Sequence, residues 1–406
     1  MKRSKSVGFV ALLAAVALLA AGCATKNNST SGGGGGGSGS KPEVTLYFQG
    51  ALTGPYNYLI IPSYQAAQLH INELNASSSF PAHITLKQGD TQGNPDQAPQ
   101  VVQEVVGDDT TVGVIGPGFS GESEASGDTY NQAQIPFLTP SATETALDAK
   151  GWSYWYRAVG PDSGQGGFAG KFIAKVLKPS KLFVFHDKSA YGQPLATTVR
   201  DTAKKAGVTI AGFEGIESGA DDYSALISDI KASGADAAFF GGYDADFGKI
   251  VKQAKDSGLN IKFMSGDGSL SSSFLKIAGS AAEGTYLTAP TNLSGSFVQK
   301  YNSSIGSKAS SVPVYAAEGY DVAGLFGAGI KAAVDGGAKD PAAIRAGVQK
   351  YLSGLTTSNA YHGVAKDYAF DSKHEISSTS PAGLYYYYVV KNGQMKPLGN
   401  AEALKL

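Results

Sequence analysis

The sequence predicts an α/β protein built as two Rossmann-like lobes with doubly wound parallel sheets, and three observations lead to that prediction. The chain has 406 residues, more than the roughly 250–300 residues at which a single hydrophobic core stops growing. Short apolar runs rich in β-forming residues alternate with stretches of helical periodicity, which is the pattern of a parallel sheet covered by helices. The alternation occurs in two series, joined by a crossover at 157–166.

The first series begins with a predicted strand at 44–49. Apolar residues then recur at spacings of four and three from Ile60 to Leu74, which is one face of an amphipathic helix. The same reasoning predicts the remaining elements of this series, namely strands at 84–87, 111–115 and 135–139 and helices at 97–106 and 122–132.

The second series begins near Lys181 and continues the alternation. It comprises predicted strands at 182–185, 208–212, 235–240 and 261–265 and helices at 195–206, 223–230 and 247–254. The last hundred residues contain a predicted helix at 322–333 and a strand run at 383–390, so we expect them to complete both lobes. The predicted lobes are 41–160 plus 290–367, and 161–289 plus 368–406.

The amino terminus predicts export. Three basic residues precede an uncharged apolar run at 7–21, which suits a signal peptide and is short for a membrane span. The run ends before Cys23, the single cysteine of the chain, and the surrounding residues resemble a bacterial lipobox. We therefore predict a signal peptide at 1–22, lipidation of Cys23, and a Gly/Ser-rich tether at 23–40 that holds the protein outside the cytoplasm at the cell membrane.

Composition and charge argue against several functional classes. The formal net charge is −1, and 17% of the residues are charged, so we expect no basic surface for nucleic acid. The five histidines show no spacing typical of metal ligands. We therefore predict neither a metal nor a cofactor.

A glycine-rich turn at 116–121 (GPGFSG) follows a predicted strand and opens a predicted helix. It formally matches the dinucleotide fingerprint, but the next strand offers no acidic residue for a ribose. A nucleophile elbow is also disfavoured, because Glu122 stands where the second glycine of that motif belongs. Free backbone N–H groups and the Ser120 hydroxyl instead suit a small anion such as a carboxylate, so we predict a binding protein and not an enzyme.

Other strand ends complete the predicted site. The Ser141-Ala142-Thr143 turn follows the strand at 135–139 and adds hydroxyl and N–H donors, although an N-cap is an alternative explanation for it. In the second series, Tyr191, Tyr243 and Asp267 follow three strands, and ligands bind open α/β sheets at such ends. Anion donors on one lobe and aromatic rings with a carboxylate on the other suit a zwitterion, of which an α-amino acid is the simplest.

These strand ends belong to sequence strings that resemble one family. The strings occur in order at 50–55 (GALTGP), 114–116 (VIG), 139–143 (TPSAT), 162–166 (DSGQG), 186–188 (HDK) with 191–192 (YG), and 241–243 (GGY). They are similar to the leucine/isoleucine/valine-binding branch of type I periplasmic binding proteins, the capture subunits of ABC importers. The resemblance implies two lobes joined by a hinge, with the ligand held in the cleft between them.

The resemblance also implies roles for individual residues. Ser120 and the turn at 141–143 would hold the ligand carboxylate, Tyr191 and Tyr243 would close over the ligand, and Asp267 would accept the ammonium group. The predicted ligand set comprises Gly118, Phe119, Ser120, Ser141, Ala142, Thr143, Tyr191, Tyr243, Asp267 and Tyr58. An ABC permease would be the partner of a monomeric protein. A ligand-sensing receptor and a binder of a small amide or other solute remain as alternatives.

Overall fold

The computed structural model describes residues 41–309, 311 and 313–406. The signal peptide, Cys23 and the tether predicted from the sequence lie outside these residues. The helices are α1 (Asn57–Ala76), α2 (Ala98–Val106), α3 (Ser120–Gln132), α4 (Asp162–Phe172), α5 (Gly192–Lys205), α6 (Ser224–Ser233), α7 (Asp244–Asp256), α8 (Ser272–Ala278), α9 (Phe297–Ser304), α10 (Ala316–Asp335) and α11 (Pro341–Ser353).

The strands follow the predicted alternation with the helices. They are β1 (Glu43–Gly50), β2 (His83–Asp90), β3 (Thr111–Ile115), β4 (Phe137–Thr139), β5 (Trp155–Arg157), β6 (Lys181–His186), β7 (Thr209–Gly215), β8 (Ala237–Gly241), β9 (Lys262–Ser265), β10 (Tyr286–Ala289), β11 (Tyr361–His362), β12 (Asp367–Tyr368), β13 (Tyr386–Lys391) and β14 (Gln394–Asn400).

The first sheet has the order β2-β1-β3-β4-β5, and all of its strands are parallel. Successive side chains of β1 point to opposite faces. Phe48 packs in a core with α1 and α10, whereas Tyr47 packs in a core with α2 and α3. Helices therefore cover both faces, as expected for a doubly wound sheet.

The second sheet has the order β14-β13-β10-β9-β8-β6-β7. Its strands β6 to β10 are parallel, and the antiparallel hairpin of β13 and β14 extends the sheet beside β10. The β6 side chains again alternate, since Val184 packs with α4 and α5 while Phe185 packs with α6 and α7. This sheet is likewise covered on both faces.

Helix α4 begins within the segment that the sequence predicts as a crossover at 157–166 and covers the second half of it. Its sequence is rich in glycine, which has a low helix propensity. The glycines allow α4 to approach α5 closely, because a Cβ atom at Gly166 would lie 2.8 Å from Cβ of Thr198, and one at Gly170 would lie 2.6 Å from Cβ of Thr202. Tertiary packing thus outweighs the unfavourable local propensity.

Three segments connect the two sheets. The chain leaves the first sheet after β5, returns after β10, and crosses again before β13. Phe370 packs on Tyr156 with ring centroids 4.9 Å apart, and Glu375 pairs with Arg157. Residues 368–376 therefore contact the first sheet, although the sequence prediction assigns them to the second lobe. The division into lobes stays a prediction, and we propose that the third crossing lies at 377–385.

Candidate functional site

The predicted site residues lie at the carboxyl ends of strands from both sheets. Ser120 and Thr143 follow β3 and β4, while Tyr191, Tyr243 and Asp267 follow β6, β8 and β9. Parallel strands of one sheet end at a common edge, where open α/β sheets bind ligands. The two edges face each other across a cleft, so residues more than a hundred positions apart line one cavity.

This inner cavity contains about 280 Å³ of empty space, part of which is open to solvent. Its walls are formed by Leu59, Ile60, Gly118, Phe119, Ser120, Ser141, Thr143, Tyr191, Tyr243, Asp267, Gly268 and Tyr315. Eight of the ten residues that the sequence predicts as ligand contacts are in this group, and their role in binding stays a prediction. Ala142 and Tyr58 are not among the lining residues.

The wall from the first sheet presents hydrogen-bond donors. Ser120 is the first residue of α3, so backbone N–H groups and the positive end of the helix dipole lie at the cavity. The Ser141 hydroxyl donates to the carbonyl oxygen of Gly118 at 2.7 Å. Thr143 is buried, and its Oγ1 has no hydrogen-bond partner within the described part of the chain. A buried hydroxyl without a partner is costly, so this group can donate to a ligand carboxylate, and it also lies close enough to the Asp162 carboxyl to oppose the rise of its pKa.

Glu122 lies beneath this wall and is fully buried. Its carboxylate accepts hydrogen bonds from the backbone N–H of Phe119 at 3.2 Å and from the hydroxyl of Thr91. Burial raises the pKa of Glu122 to about 7. A large fraction of Glu122 is therefore neutral near pH 7, which limits its repulsion of an anion at the start of α3.

Asp267 is the acidic group of the opposite wall and is 4% exposed. It accepts hydrogen bonds from Gln165 Nε2 at 2.7 Å, from the Tyr191 hydroxyl at 2.8 Å, and from the Tyr315 hydroxyl. Burial raises the pKa of Asp267, although these donors oppose the shift. An ionised carboxylate has about four acceptor positions, so three donors leave room for one more.

Asp162, at the first position of α4, lies beside Asp267 and is 1% exposed. Neither of its carboxylate oxygens has a hydrogen-bond partner among the residues that the structure describes. Burial and the nearby negative charge of Asp267 raise the pKa of Asp162 well above its ordinary value. Protonation of Asp162 is therefore easier than for an ordinary aspartate, which lowers the repulsion between the two carboxyl groups.

Tyr315 is a site residue that the sequence prediction missed. It precedes α10, which packs on α1, and its hydroxyl reaches across the cleft to Asp267. Its backbone has φ of 62°, a left-handed conformation that is strained for a tyrosine. No sequence motif marks this position. Tyr315 reaches the cavity only because the chain returns to the first sheet after β10, and that path is not visible in the local sequence.

Aromatic rings close one side of the cleft. Tyr56 of the first lobe packs on Tyr243 of the second, with ring centroids 5.2 Å apart, and Phe119 lies 5.6 Å from Tyr243. A second cavity, with about 740 Å³ of empty space that includes open solvent, lies beyond these rings and shares Phe119, Tyr191 and Tyr243 with the inner one. The rings thus separate the inner cavity from a wider outer space.

Tyr58 forms a contact between the lobes. It lies in the first turn of α1, and its hydroxyl donates to the carboxylate of Asp244 at the start of α7. Asp244 is fully buried and also accepts a hydrogen bond from the Ser271 hydroxyl at 2.5 Å. Burial raises the pKa of Asp244 to about 7. Tyr58 therefore links α1 to α7 across the cleft, and it does not line the inner cavity.

Ala142 contributes through its backbone. Its N–H donates to Thr139 Oγ1 at 2.9 Å, and its carbonyl oxygen accepts a hydrogen bond from the guanidinium of Arg157 at 3.3 Å. Arg157 is fully buried and forms two further hydrogen bonds with Glu375, at 2.6 and 2.8 Å. This network fixes the turn that carries Ser141 and Thr143.

Two further properties concern the described residues as a whole. Within 41–309, 311 and 313–406, His, Cys, Asp and Glu side chains form no group of three or more that could hold a metal ion. None of the helices in the same ranges combines the length and apolar character needed to cross a bilayer.

Comparison with known proteins places the fold and the cleft in context. The Leu/Ile/Val-binding protein of Citrobacter freundii is 34% identical over 244 residues, which cover 60% of this chain and 66% of that protein. The leucine-, isoleucine-, valine-, threonine- and alanine-binding protein of Pseudomonas aeruginosa is 34% identical, covering 61% and 66%. The match thus spans slightly less than two thirds of each relative.

A solved structure extends the similarity over nearly the whole described chain. It is the branched-chain amino acid transporter substrate-binding protein LivJ of Streptococcus pneumoniae in complex with isoleucine, with a TM-score of 0.76 and 23% identity. The match covers 88% of this chain and 99% of that protein, which confirms the predicted type I fold. The family model for periplasmic binding proteins matches residues 47–392. This chain therefore belongs to the periplasmic binding protein family.

Proposed function

We propose that this protein is the solute-binding subunit of an ABC importer and that it captures an α-amino acid with an apolar or aromatic side chain. The observation that carries the proposal is the division of charge in the inner cavity. One wall offers the Thr143 hydroxyl and the start of α3, and the other offers Asp267. A zwitterion between the walls would complement both.

The opposed walls define how the ligand would bind. The ammonium group would take the remaining acceptor position on Asp267. The α-carboxylate would accept hydrogen bonds from Ser120 and Thr143. The rings of Phe119, Tyr191 and Tyr243 would surround the side chain, and closure of the lobes would exclude water. The cavity would then bind its ligand without chemical turnover.

The energetics suit a ligand of this size. Micromolar affinity corresponds to about −8 kcal/mol. A ligand the size of leucine would therefore contribute roughly −0.9 kcal/mol per heavy atom, within the limit of about −1.5 for very small ligands. Such efficiency requires nearly complete burial, which closure of a hinged cleft would supply.

The wider role follows from the relatives and the amino-terminal sequence. Both curated relatives are named for amino acids that they bind, and leucine, isoleucine and valine occur in both names. We extend this to an exported, monomeric subunit that is lipidated at Cys23 and delivers its ligand to permease subunits.

The test is a thermal-shift screen of the purified chain with all amino acids, small amides and polyols, followed by calorimetry. A ligand at a hundred times its Kd should stabilise the folded state by about 2.7 kcal/mol. Asp267→Asn should abolish the shift, whereas Asp256→Asn, which alters an exposed ion pair on α7, should not. Binding of uncharged solutes alone would disprove the zwitterion proposal and favour a non-amino-acid ligand.

A further inference from the structure

Lys366 places its ammonium group between three acceptors at the junction of the two lobes. Nζ lies 2.9 Å from Glu318 Oε1, 3.3 Å from the carbonyl oxygen of Pro290 and 3.4 Å from that of Ala158. The side chain is only 13% exposed. An ammonium group has three N–H donors, so each acceptor can take one of them, with the two carbonyl bonds being long.

The acceptors belong to the segments that join the lobes. Ala158 directly follows β5, and Pro290 directly follows β10, so each carbonyl lies where the chain leaves one sheet for the other. Glu318 lies in α10 and is fully buried. Its second oxygen accepts a hydrogen bond at 2.8 Å from the hydroxyl of Thr291, which is also in the second crossing.

The position of Lys366 is itself fixed by buried hydrogen bonds. The fully buried Asp321 carboxylate accepts from the backbone N–H groups of Val364 at 2.7 Å and Ala365 at 2.8 Å. The Tyr368 hydroxyl donates to the same carboxylate at 2.9 Å. The turn that carries Lys366 is therefore anchored on α10, and this fixed turn positions the ammonium group against the crossing segments.

We propose that Lys366 is a positioning residue of the hinge, which ties the first two crossing segments to α10 and thereby restrains opening of the cleft. This inference rests on the proposed hinge closure, in which motion between the lobes must bend these segments. When one ammonium group holds both crossing segments, the lobes rotate about a defined axis and wider opening of the cleft is resisted. Without it, the crossings move independently, and the closed state releases its ligand sooner.

The first measurement is hydrogen exchange on the full chain in the absence of ligand. Lys366→Met should raise the exchange rate of the Ala158 and Leu293 amides at least tenfold and leave the central strands β1 and β8 unchanged. Lys331→Met is the control, because it removes an exposed ion pair elsewhere on the first lobe. Equal acceleration in all strands, or none in the two crossings, would show that Lys366 does not act on the hinge.

A double variant separates the loss of the Lys366 contacts from the cost of leaving the Glu318 carboxylate unpaired. Lys366→Met leaves Glu318 buried without its cation, so Glu318→Gln is added to remove that charge. The double variant should recover global stability while exchange at the crossings stays fast. Recovery of slow exchange at the crossings would overturn the proposal, because the effect would then come from the unpaired charge alone.

A second measurement uses L-leucine as the probe in stopped-flow dissociation. The off-rate from the Lys366→Met protein should be roughly tenfold above the parent value, and the Lys331→Met protein should match the parent. An unchanged off-rate would count against restraint of opening. If the parent protein failed to bind any amino acid, the proposed function would fail, while the exchange experiment would still decide the role of Lys366.

Discussion

Replacement of Tyr58 by phenylalanine tests whether contacts between the lobes contribute to ligand affinity. The change deletes only the hydroxyl that donates to Asp244 across the cleft. A hydrogen bond to a buried carboxylate contributes about 1.5–3 kcal/mol. Asp244 keeps its bond from Ser271, so we expect a loss of about 1.5–2 kcal/mol, or a Kd that is roughly 10–30-fold weaker.

Calorimetry and stopped-flow dissociation of the tightest-binding amino acid would measure this loss. The bond exists only when the lobes meet, so the off-rate should change more than the on-rate. Tyr64→Phe is the matched control, because its hydroxyl accepts a hydrogen bond from Gln88 within the first lobe. A Tyr58→Phe affinity within twofold of the parent value would refute the argument.

Three further predictions concern buried polar groups. Because burial raises the pKa of Asp244 to about 7, protonation of Asp244 favours the closed cleft. Ligand affinity, measured by calorimetry, should therefore fall as the pH rises from about 4 through 7, and Asp244→Asn should flatten this profile. Thr143→Val removes a buried hydroxyl without a described partner, so urea unfolding should show equal or higher stability while calorimetry shows ligand affinity about tenfold weaker; an unchanged Kd would contradict its assigned role. Arg157→Met leaves Glu375 buried and unpaired, which should lower the free energy of unfolding by about 3–5 kcal/mol in urea titrations. Addition of Glu375→Gln should restore part of that loss. A loss below 1 kcal/mol for Arg157→Met would contradict the role given to this ion pair.

The sequence predicts much of the fold because strand and helix periodicities are local properties. The strand at 111–115 has its predicted bounds as β3, and the alternation is complete enough to predict two doubly wound sheets. Missed elements have weaker local signals. Helix α4 contains many glycines, β5 has three residues, and β10 has four, so packing between distant segments decides their conformation.

The candidate site shows the same difference between residues with a local sequence signal and residues placed by contacts between distant segments. Ser120, Thr143 and Asp267 were predictable because each follows a recognisable strand, and the ends of parallel strands converge. Tyr315 and Asp162 were not predicted as site residues, since their places depend on where the chain crosses between the lobes. Tyr58 was predicted beside the ligand, but its hydroxyl contacts a carboxylate of the opposite lobe.

The hairpin of β13 and β14 has a consequence for biosynthesis. Strand β6 begins at residue 181, yet its sheet lacks β13 until residue 391 has been added. At about 5–20 residues per second, synthesis of this stretch takes roughly 10–40 seconds. Strand β10 ends at residue 289, so for the last part of this interval, roughly 5–20 seconds, its edge is unpaired and exposes backbone groups to wrong partners. The second sheet is therefore completed only after β14 (Gln394–Asn400) has been added, long after its first strand has been synthesised.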